Sequence, residues 1–222
     1  MKIGVVSGSI REGRVGESIS RWVLAGARAH GGADFELIDL RFFDLPLFTD
    51  ARMPMAAGKR YDNPVVQAWS NAIDRCHGFI IVTPEYNHSV PGALKNAVDH
   101  LANEWVGKPV AFIGYGPDGA VHAIEHWRQI FSTFEARSVS AQLSINSPAG
   151  TGGGNGFAPD EHHVGELNDL LDVLIDSAAE IPAGHRQWRI GNRYGPCPPV
   201  AWSTTAAQEM PEPARRLTGC RT

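Results

Sequence analysis

GFIIVTPEYNHSVPGALKNAVD occupies residues 78–99, where a strand, a loop and the start of a helix follow one another. The first five residues are all Gly or apolar, as in a strand that is buried on both faces of a parallel sheet. Pro91 and Gly92 open a segment with helical spacing, so a short polar, aromatic loop lies between the strand and the helix. Ligands of open α/β sheets bind outside the carboxyl ends of the strands. This stretch therefore predicts a ligand-binding loop in an α/β protein.

Outside this stretch, short apolar runs alternate with amphipathic segments of helical length. The strand candidates are residues 3–7, 35–39, 79–83, 110–114 and 139–145, and the helix candidates are residues 16–30, 64–75, 92–102, 120–134 and 165–181. Five strands that alternate with five helices predict a parallel sheet covered on both faces, which is a doubly wound α/β fold. We expect residues 1–182 to form this domain.

Three segments interrupt the alternation. Residues 41–62 form a connection that is longer than an ordinary loop, which suggests that this segment has a function. Residues 147–156, SPAGTGGGNG, are glycine-rich and predict a flexible segment. Residues 183–222 contain prolines, tryptophans and arginines without periodicity. We interpret them as a C-terminal extension that is irregular or partly disordered.

Composition argues against several classes of protein. The formal net charge of -4 over 222 residues gives no support to binding of nucleic acid or of an anionic membrane. No apolar run approaches the roughly 18 residues of a membrane span, and the chain enters its first strand without the pattern of a signal peptide. Cys76, Cys197 and Cys220 lack CxxC spacing. We therefore expect a cytoplasmic protein with reduced thiols.

A second candidate loop follows the first strand, with the sequence SGSIREGRVGES at residues 7–18. A strand, a Gly/Ser-rich turn and a helix start together favour an anion, through free N–H groups and the helix dipole. Arg11 and Arg14 can add forked hydrogen bonds to phosphate oxygens. Arg14 and Val15 stand where a P-loop needs Lys and Ser or Thr, and GxGxxG is missing, so the prediction is a phosphate monoester. The alternative is a tight turn with solvated arginines.

Histidines offer weaker hypotheses. His122 and His126 have the i,i+4 spacing of a zinc pair, but the HExxH pattern and a third ligand are missing, so we expect a solvated face and no metal. The pair at 162–163 is expected in a surface loop. Lys95 and Asp99, also at i,i+4, predict an ion pair that supports a helix.

Together, the two loops resemble the NADPH-dependent FMN reductase family, a branch of the flavodoxin-like flavoproteins that includes quinone, azo-compound and chromate reductases. The matching patterns are GSxRxGRxGE at 8–17, PEYNxSxPGxLKNAxD at 84–99 and, more weakly, GYGPDG at 114–119. The resemblance covers about residues 2–180. It implies a flavodoxin-like five-stranded parallel sheet of order 2-1-3-4-5 and bound FMN. It also implies ping-pong transfer of hydride from NADPH or NADH to a quinone, flavin, azo or similar acceptor.

The resemblance further implies the residues of the FMN site, in a first loop (8–17), a second loop (84–91) and a third loop (114–119). They are Ser9, Arg11, Arg14, Val15, Gly16 and Glu17 in the first, Pro84, Glu85, Tyr86, Asn87 and Ser89 in the second, and Tyr115 and Gly116 in the third. The first loop would hold the phosphate, with the Glu17 carboxylate turned away. The second would carry the isoalloxazine ring on Tyr86, with backbone N–H groups of residues 85–87 at its polar edge, and the third would close the other side. No general acid or base is implied, because the cofactor performs the hydride step.

Two alternatives to a reductase stay open at this point. One is a flavodoxin-like electron carrier, although such carriers usually have a more acidic surface than a net charge of -4 provides. The other is a flavin-free interaction or sensor protein, since a fold alone does not determine function. The resemblance also implies a homodimer or homotetramer, for which the apolar residues of 41–62 offer a surface. Those residues could equally cover the local core.

Overall fold

The computed structural model describes residues 1–146 and 156–180. Within them, five parallel strands form one sheet of order β2-β1-β3-β4-β5. The strands are β1 (Lys2–Ser7), β2 (Asp34–Asp39), β3 (Gly78–Pro84), β4 (Pro109–Gly116) and β5 (Arg137–Asn146). The predicted fold class and strand order are confirmed. All residues of β3 are buried, as its continuous apolar sequence predicts.

Helices cover both faces of this sheet. They are α1 (Gly16–His30), α2 (Pro54–Ala57), α3 (Pro64–Asp74), α4 (Gly92–Asp99), α5 (Val121–Ser132) and α6 (Glu161–Ala179). On one face, α1 and α6 bury Ile19, Val23 and Leu170 against the strands. On the other, α3 and α5 bury Trp69 and Trp127. Each such side chain contributes roughly 1.5–3 kcal/mol of transfer free energy, so the two cores fix the sheet that positions the loops.

Capping residues determine where two of the helices begin. The Asn63 side chain accepts hydrogen bonds from the N–H groups of Val65 and Val66, at 2.8 and 3.3 Å, as the Asn-Pro sequence predicts for α3. At α6 the predicted start at residue 165 was wrong. Asp160 and His163 form a reciprocal capping box, so the helix begins at Glu161 and the histidine pair lies in its first turn rather than in a loop.

The long connection at 41–62 both packs against the core and exposes apolar side chains. Phe43 and Leu45 pack against the core, whereas Phe42 and Leu47 are 84% and 78% exposed. Asn96 of α4 fixes the connection, because its side chain bonds the backbone of Pro46 and Phe48, each at 2.9 Å. Part of the connection therefore covers the core, and part presents apolar surface.

Several expectations fall outside these ranges. The predicted extension at 183–222 and nearly all of the glycine-rich segment at 147–156 lie outside the described residues, as do Cys197 and Cys220. The domain boundary near residue 182 therefore stays a prediction. Cys76 is a buried free thiol. Among the helices in the described ranges, none has the length and apolar character to cross a bilayer.

Candidate functional site

Three loops meet at one edge of the sheet because the strands before them are neighbours. β3 pairs with β1 and with β4, and Ser7 lies opposite Val82 while Pro84 lies opposite Tyr115. The first, second and third loops therefore leave the sheet side by side. This is the point where the strand order reverses, at which doubly wound folds bind their ligands.

Ser9 and Tyr86 connect the first two loops directly. The Ser9 side chain is buried, and its Oγ lies 3.0 Å from the hydroxyl of Tyr86. The guanidinium carbon of Arg11 lies 5.8 Å from the centre of the Tyr86 ring, within the range of a cation–π contact. The structure thus brings together the predicted phosphate loop and the predicted aromatic surface of the ring site.

Tyr115 connects the third loop to the start of α1. Its side chain is buried, and a Cβ on Gly16 would lie only 2.2 Å from its hydroxyl oxygen. Glycine at position 16 is therefore what permits this approach. Burial raises the pKa of Tyr115 above its ordinary value, although the Ser9 hydroxyl and nearby arginines act in the opposite direction. The phenol consequently stays neutral at physiological pH.

Arg14 makes an ion pair that the sequence did not reveal. Its Nη1 donates to Oδ1 of Asp39 at 2.8 Å, and its Nη2 donates to Oδ2. Nη1 also donates to the Ser9 carbonyl, and both charged side chains are more than nine-tenths buried. Burial alone would lower the pKa of Arg14, but the hydrogen bond and charge of Asp39 outweigh it and raise the pKa. The guanidinium therefore fastens the first loop to the end of β2.

The two arginines that were predicted to bind phosphate thus differ in whether their guanidinium groups are free to contact an anion. The Arg14 fork is occupied by Asp39, and its Nε is buried without a hydrogen-bond partner in the part of the chain that the structure describes. Arg11 is exposed and pairs with no carboxylate within residues 1–146 and 156–180. A direct contact between Arg14 and phosphate stays a prediction, while Arg11 is the arginine whose guanidinium is free for an anion.

The start of α1 suits such an anion. The residue before the helix, Val15, gives no side-chain cap, and the first-turn N–H groups of a helix lack intrahelical partners. The Glu17 carboxylate accepts a hydrogen bond from Arg21 at 2.9 Å, so its charge is paired on the helix surface. Backbone donors, a serine hydroxyl and a free guanidinium are the groups that phosphate prefers. The residues present therefore fit the phosphate of FMN.

A tight turn shapes the second loop. Tyr86 and Ser89 exchange two backbone hydrogen bonds, at 3.0 and 3.1 Å, and the residues between them, Asn87 and His88, have φ angles of 51° and 59°. Two consecutive residues in the left-handed region are typical of a type I′ turn. The N–H of Tyr86 is used within this turn. It was one of the N–H groups predicted to face the polar edge of the ring, and it is therefore unavailable for that contact.

The second loop is anchored to α5 at two points. One Glu85 oxygen accepts hydrogen bonds from the N–H groups of His122 and Ala123, at 3.0 and 3.1 Å, and the other lies 3.1 Å from Nδ1 of His122. The Ser89 hydroxyl lies 3.0 Å from Nδ1 of His126. Both histidines are exposed, as expected for a solvated face, and each also contacts the second loop. The cofactor contact of Ser89 stays a prediction, and its hydroxyl contacts His126 of α5.

The ionisation of Glu85 follows from these contacts. Burial opposes a charged carboxylate, but the hydrogen bonds from Ala123 and His122 outweigh it, and the pKa of Glu85 lies below its ordinary value. A carboxylate that stays ionised and fully bonded caps a helix and cannot act as a general acid. This agrees with a site in which the protein positions a cofactor.

Known proteins share this sequence and architecture. Residues 1–150 match the family described as NADPH-dependent FMN reductase. An NAD(P)H-dependent FMN reductase from Nectria sp is 40% identical over 126 residues, which cover 55% of this chain and 63% of that protein, somewhat under two thirds of its length. A 2-hydroxy-1,4-benzoquinone reductase from Burkholderia sp is 33% identical over 140 residues, which cover 59% of this chain and 69% of the relative.

A solved structure agrees in fold. FerB, a flavoenzyme NAD(P)H:acceptor oxidoreductase from Paracoccus denitrificans, aligns with a TM-score of 0.65 and 24% identity, over 80% of this chain and 97% of that chain. The family match includes the first, second and third loops, which the sheet brings together at its carboxyl edge. The chain belongs to the NADPH-dependent FMN reductase family.

Proposed function

We propose that the protein is an FMN-dependent NAD(P)H oxidoreductase that reduces a quinone or a similar small acceptor. The observation that carries the proposal is the 3.0 Å contact between Ser9 of the first loop and Tyr86 of the second. The contact joins the first loop, whose helix start would bind an anion, to an aromatic side chain of the second loop, and a phosphorylated flavin needs this combination. Family membership supports the same cofactor.

The first loop would bind the phosphate. Ser9, Arg11 and the backbone of residues 15–17 supply the donors, and Arg11 supplies the positive charge. Arg14 would act indirectly, because its buried pair with Asp39 holds the loop in the shape that presents these donors. Such preorganisation increases affinity by reducing the entropy lost on binding.

The second and third loops would bind the ring. Pro84, Tyr86 and Asn87 would lie against the isoalloxazine, and Tyr115 with Gly116 would close the other side. When bound, FMN supplies the hydride chemistry. The chain supplies orientation: Glu85 fixes the second loop on α5, and the neutral Tyr115 fixes the third loop on α1. No side chain is assigned as a general acid or base.

Turnover is proposed to be ping-pong. NADPH or NADH would occupy the open face of the site, deliver its hydride and leave, and the acceptor would then enter the same space. A quinone is the favoured acceptor class, because a relative of this chain is named as a 2-hydroxy-1,4-benzoquinone reductase. A flavin or an azo compound fits the same planar, aromatic description.

We also propose a cytoplasmic homodimer or homotetramer. Phe42 and Leu47 expose apolar side chains on the long connection, and a second subunit could cover them. The buried free thiol of Cys76 is in keeping with a reducing compartment.

The test is reconstitution followed by turnover. Flavin-free protein is titrated with FMN and with riboflavin, which lacks the phosphate, and NADPH oxidation is then followed with 1,4-benzoquinone as acceptor. The proposal expects tight FMN binding, much weaker riboflavin binding and sustained NADPH oxidation. Binding of FMN without NADPH oxidation would favour an electron carrier, and failure to bind FMN would favour a flavin-free sensor.

A further inference from the structure

A cluster of metal-binding side chains lies beside the second loop. One potential ligand atom each from Glu85, His88 and His122 lies within 4.8 Å of the other two, and no other group of three was found in the described part of the chain. The sequence separates these residues by up to 37 positions. The spacing of His122 and His126, which suggested a zinc pair, gave no indication of this set.

The distances suit a first-row metal ion. Oε1 of Glu85 and Nδ1 of His122 are 3.1 Å apart. Two ligands of a tetrahedral zinc ion at bond lengths of about 2.0–2.1 Å are roughly 3.3 Å apart. The rings of His88 and His122 stack with centroids 4.4 Å apart and planes 6° apart, so one ring must rotate about its side-chain bonds before both can bind the same ion.

The ligands are held by rigid local structure. The Glu85 carboxylate is fixed by two backbone N–H groups of α5, and His122 lies in the first turn of that helix. His88 lies at the second central position of the type I′ turn. The Glu85 side chain is 9% exposed while that of His122 is 47% exposed, so a shielded charge faces a position that solvent can reach. Little ordering of the chain is needed for an ion to bind.

We propose that Glu85, His88 and His122 form a binding site for a divalent metal ion of the zinc class. Two imidazoles and one carboxylate are a common zinc donor set, and water would complete the coordination. The ion would replace the hydrogen bond between His122 and Glu85 and join the second loop to α5. Bound there, it would restrict the loop that carries Tyr86 and Asn87. None of the three ligands lies in the first loop, but Glu85 and His88 belong to the second loop, which is also proposed to carry the flavin ring.

Calorimetric titration of the full-length, tag-free protein with zinc chloride tests the site. We expect one zinc ion per chain, and His88→Gln should weaken binding at least about tenfold. His88 is the informative variant, because its ring makes no hydrogen bond within the described residues and its loss leaves the cap of α5 intact. His122→Gln should weaken binding similarly, with an unchanged circular dichroism spectrum as the check on folding.

His162→Gln is the matched control. His162 is another exposed histidine on a helix; its Nε2 lies 3.4 Å from Oε1 of Glu166, and it is remote in sequence from the cluster. Zinc affinity should be the same in this variant as in the wild type. Zinc binding that survives His88→Gln unchanged, or that is lost equally in His162→Gln, would overturn the proposal, as would the absence of binding to the wild type. Heats are measured with and without FMN, so a failure of the flavin assignment would not be mistaken for a failure of this site.

Discussion

Arg11 and Arg14 are three positions apart in the first loop and have opposite surroundings. Arg11 is exposed beside Tyr86, whereas Arg14 is buried against Asp39. For Arg11→Ala we expect FMN affinity to fall about 10- to 100-fold, since a charge-assisted hydrogen bond to a phosphate contributes about 1.5–3 kcal/mol. Riboflavin affinity and the melting temperature should hardly change. Calorimetry with the two flavins checks this, and an equal loss for both would contradict it.

For Arg14→Ala we expect a loss of stability first. The substitution leaves the nearly buried Asp39 carboxylate without its partner, and breaking a buried pair in this way costs about 3–5 kcal/mol. Urea unfolding at neutral pH measures the change. Arg21→Ala is the control, because its pair with Glu17 is 68% and 42% exposed and contributes at most about 0.5 kcal/mol. An Arg14 variant as stable as the Arg21 variant would disprove the supporting role.

The sequence could indicate these residues but not their roles. Both arginines lie in a Gly/Ser-rich turn, and either can bind phosphate. Asp39 is 25 positions from Arg14 and becomes its neighbour only because β2 pairs with β1. A carboxylate at the end of the second predicted strand was the available signal, and it becomes informative only once the strand order is known.

Among the elements, α5 depends on a cap that comes from another loop. Glu85 has a pKa below its ordinary value, so its contribution is complete at neutral pH and is lost as the pH falls through the folded-state pKa. We expect Glu85→Gln to lower stability at pH 7 by about 0.5–2 kcal/mol, the range for helix caps. The difference from wild type should shrink in the acid range, below about pH 4. Thermal unfolding at both pH values measures it, and a constant difference would argue against an ionised cap.

A buried lysine that directly precedes β4 and contacts the end of α3 gives stability a second dependence on pH. Nζ of Lys108 donates to the carbonyls of Ile73 and Asp74, at 3.0 and 3.1 Å, and burial lowers its pKa to about 8 despite the opposing charge of Asp74. Between pH 8 and about 10.4 the unfolded chain binds a proton that the folded chain lacks. Wild type should therefore gain stability relative to Lys108→Met as the pH rises from 8 to 10. Urea unfolding at the two pH values decides, and parallel curves would exclude the shift.

Elements with regular apolar spacing were predictable. The strands follow from short runs of apolar residues, and the main helices follow from apolar stripes that extend over several turns. The start of α6 was missed because a histidine completes its capping box where Glu or Gln is usual. The cap of α5 was missed because Glu85 is 37 positions before His122, and local sequence carries no information about such a contact.

At the scale of the whole molecule, the order of the strands creates the site. The second loop follows β3, which the sheet places between β1 and β4, so the Thr-Pro-Glu-Tyr-Asn sequence contacts the first loop on one side and α5 on the other. The resemblance to FMN reductases supplied this order before the structure did, and periodicity alone supplied only a parallel sheet. The three loops are proposed to hold an FMN that NAD(P)H can reach.

Anaerobic rapid mixing of the FMN-loaded protein with NADPH tests whether NAD(P)H reaches the flavin. The visible absorption of the oxidised flavin is followed in time, and 1,4-benzoquinone is added in a second mixing step. We predict that NADPH bleaches the flavin before any acceptor is present and that the quinone restores the colour, as alternating occupancy of one site requires. A flavin that keeps its absorption in the presence of both NADPH and NADH would contradict the assignment of this protein as a reductase.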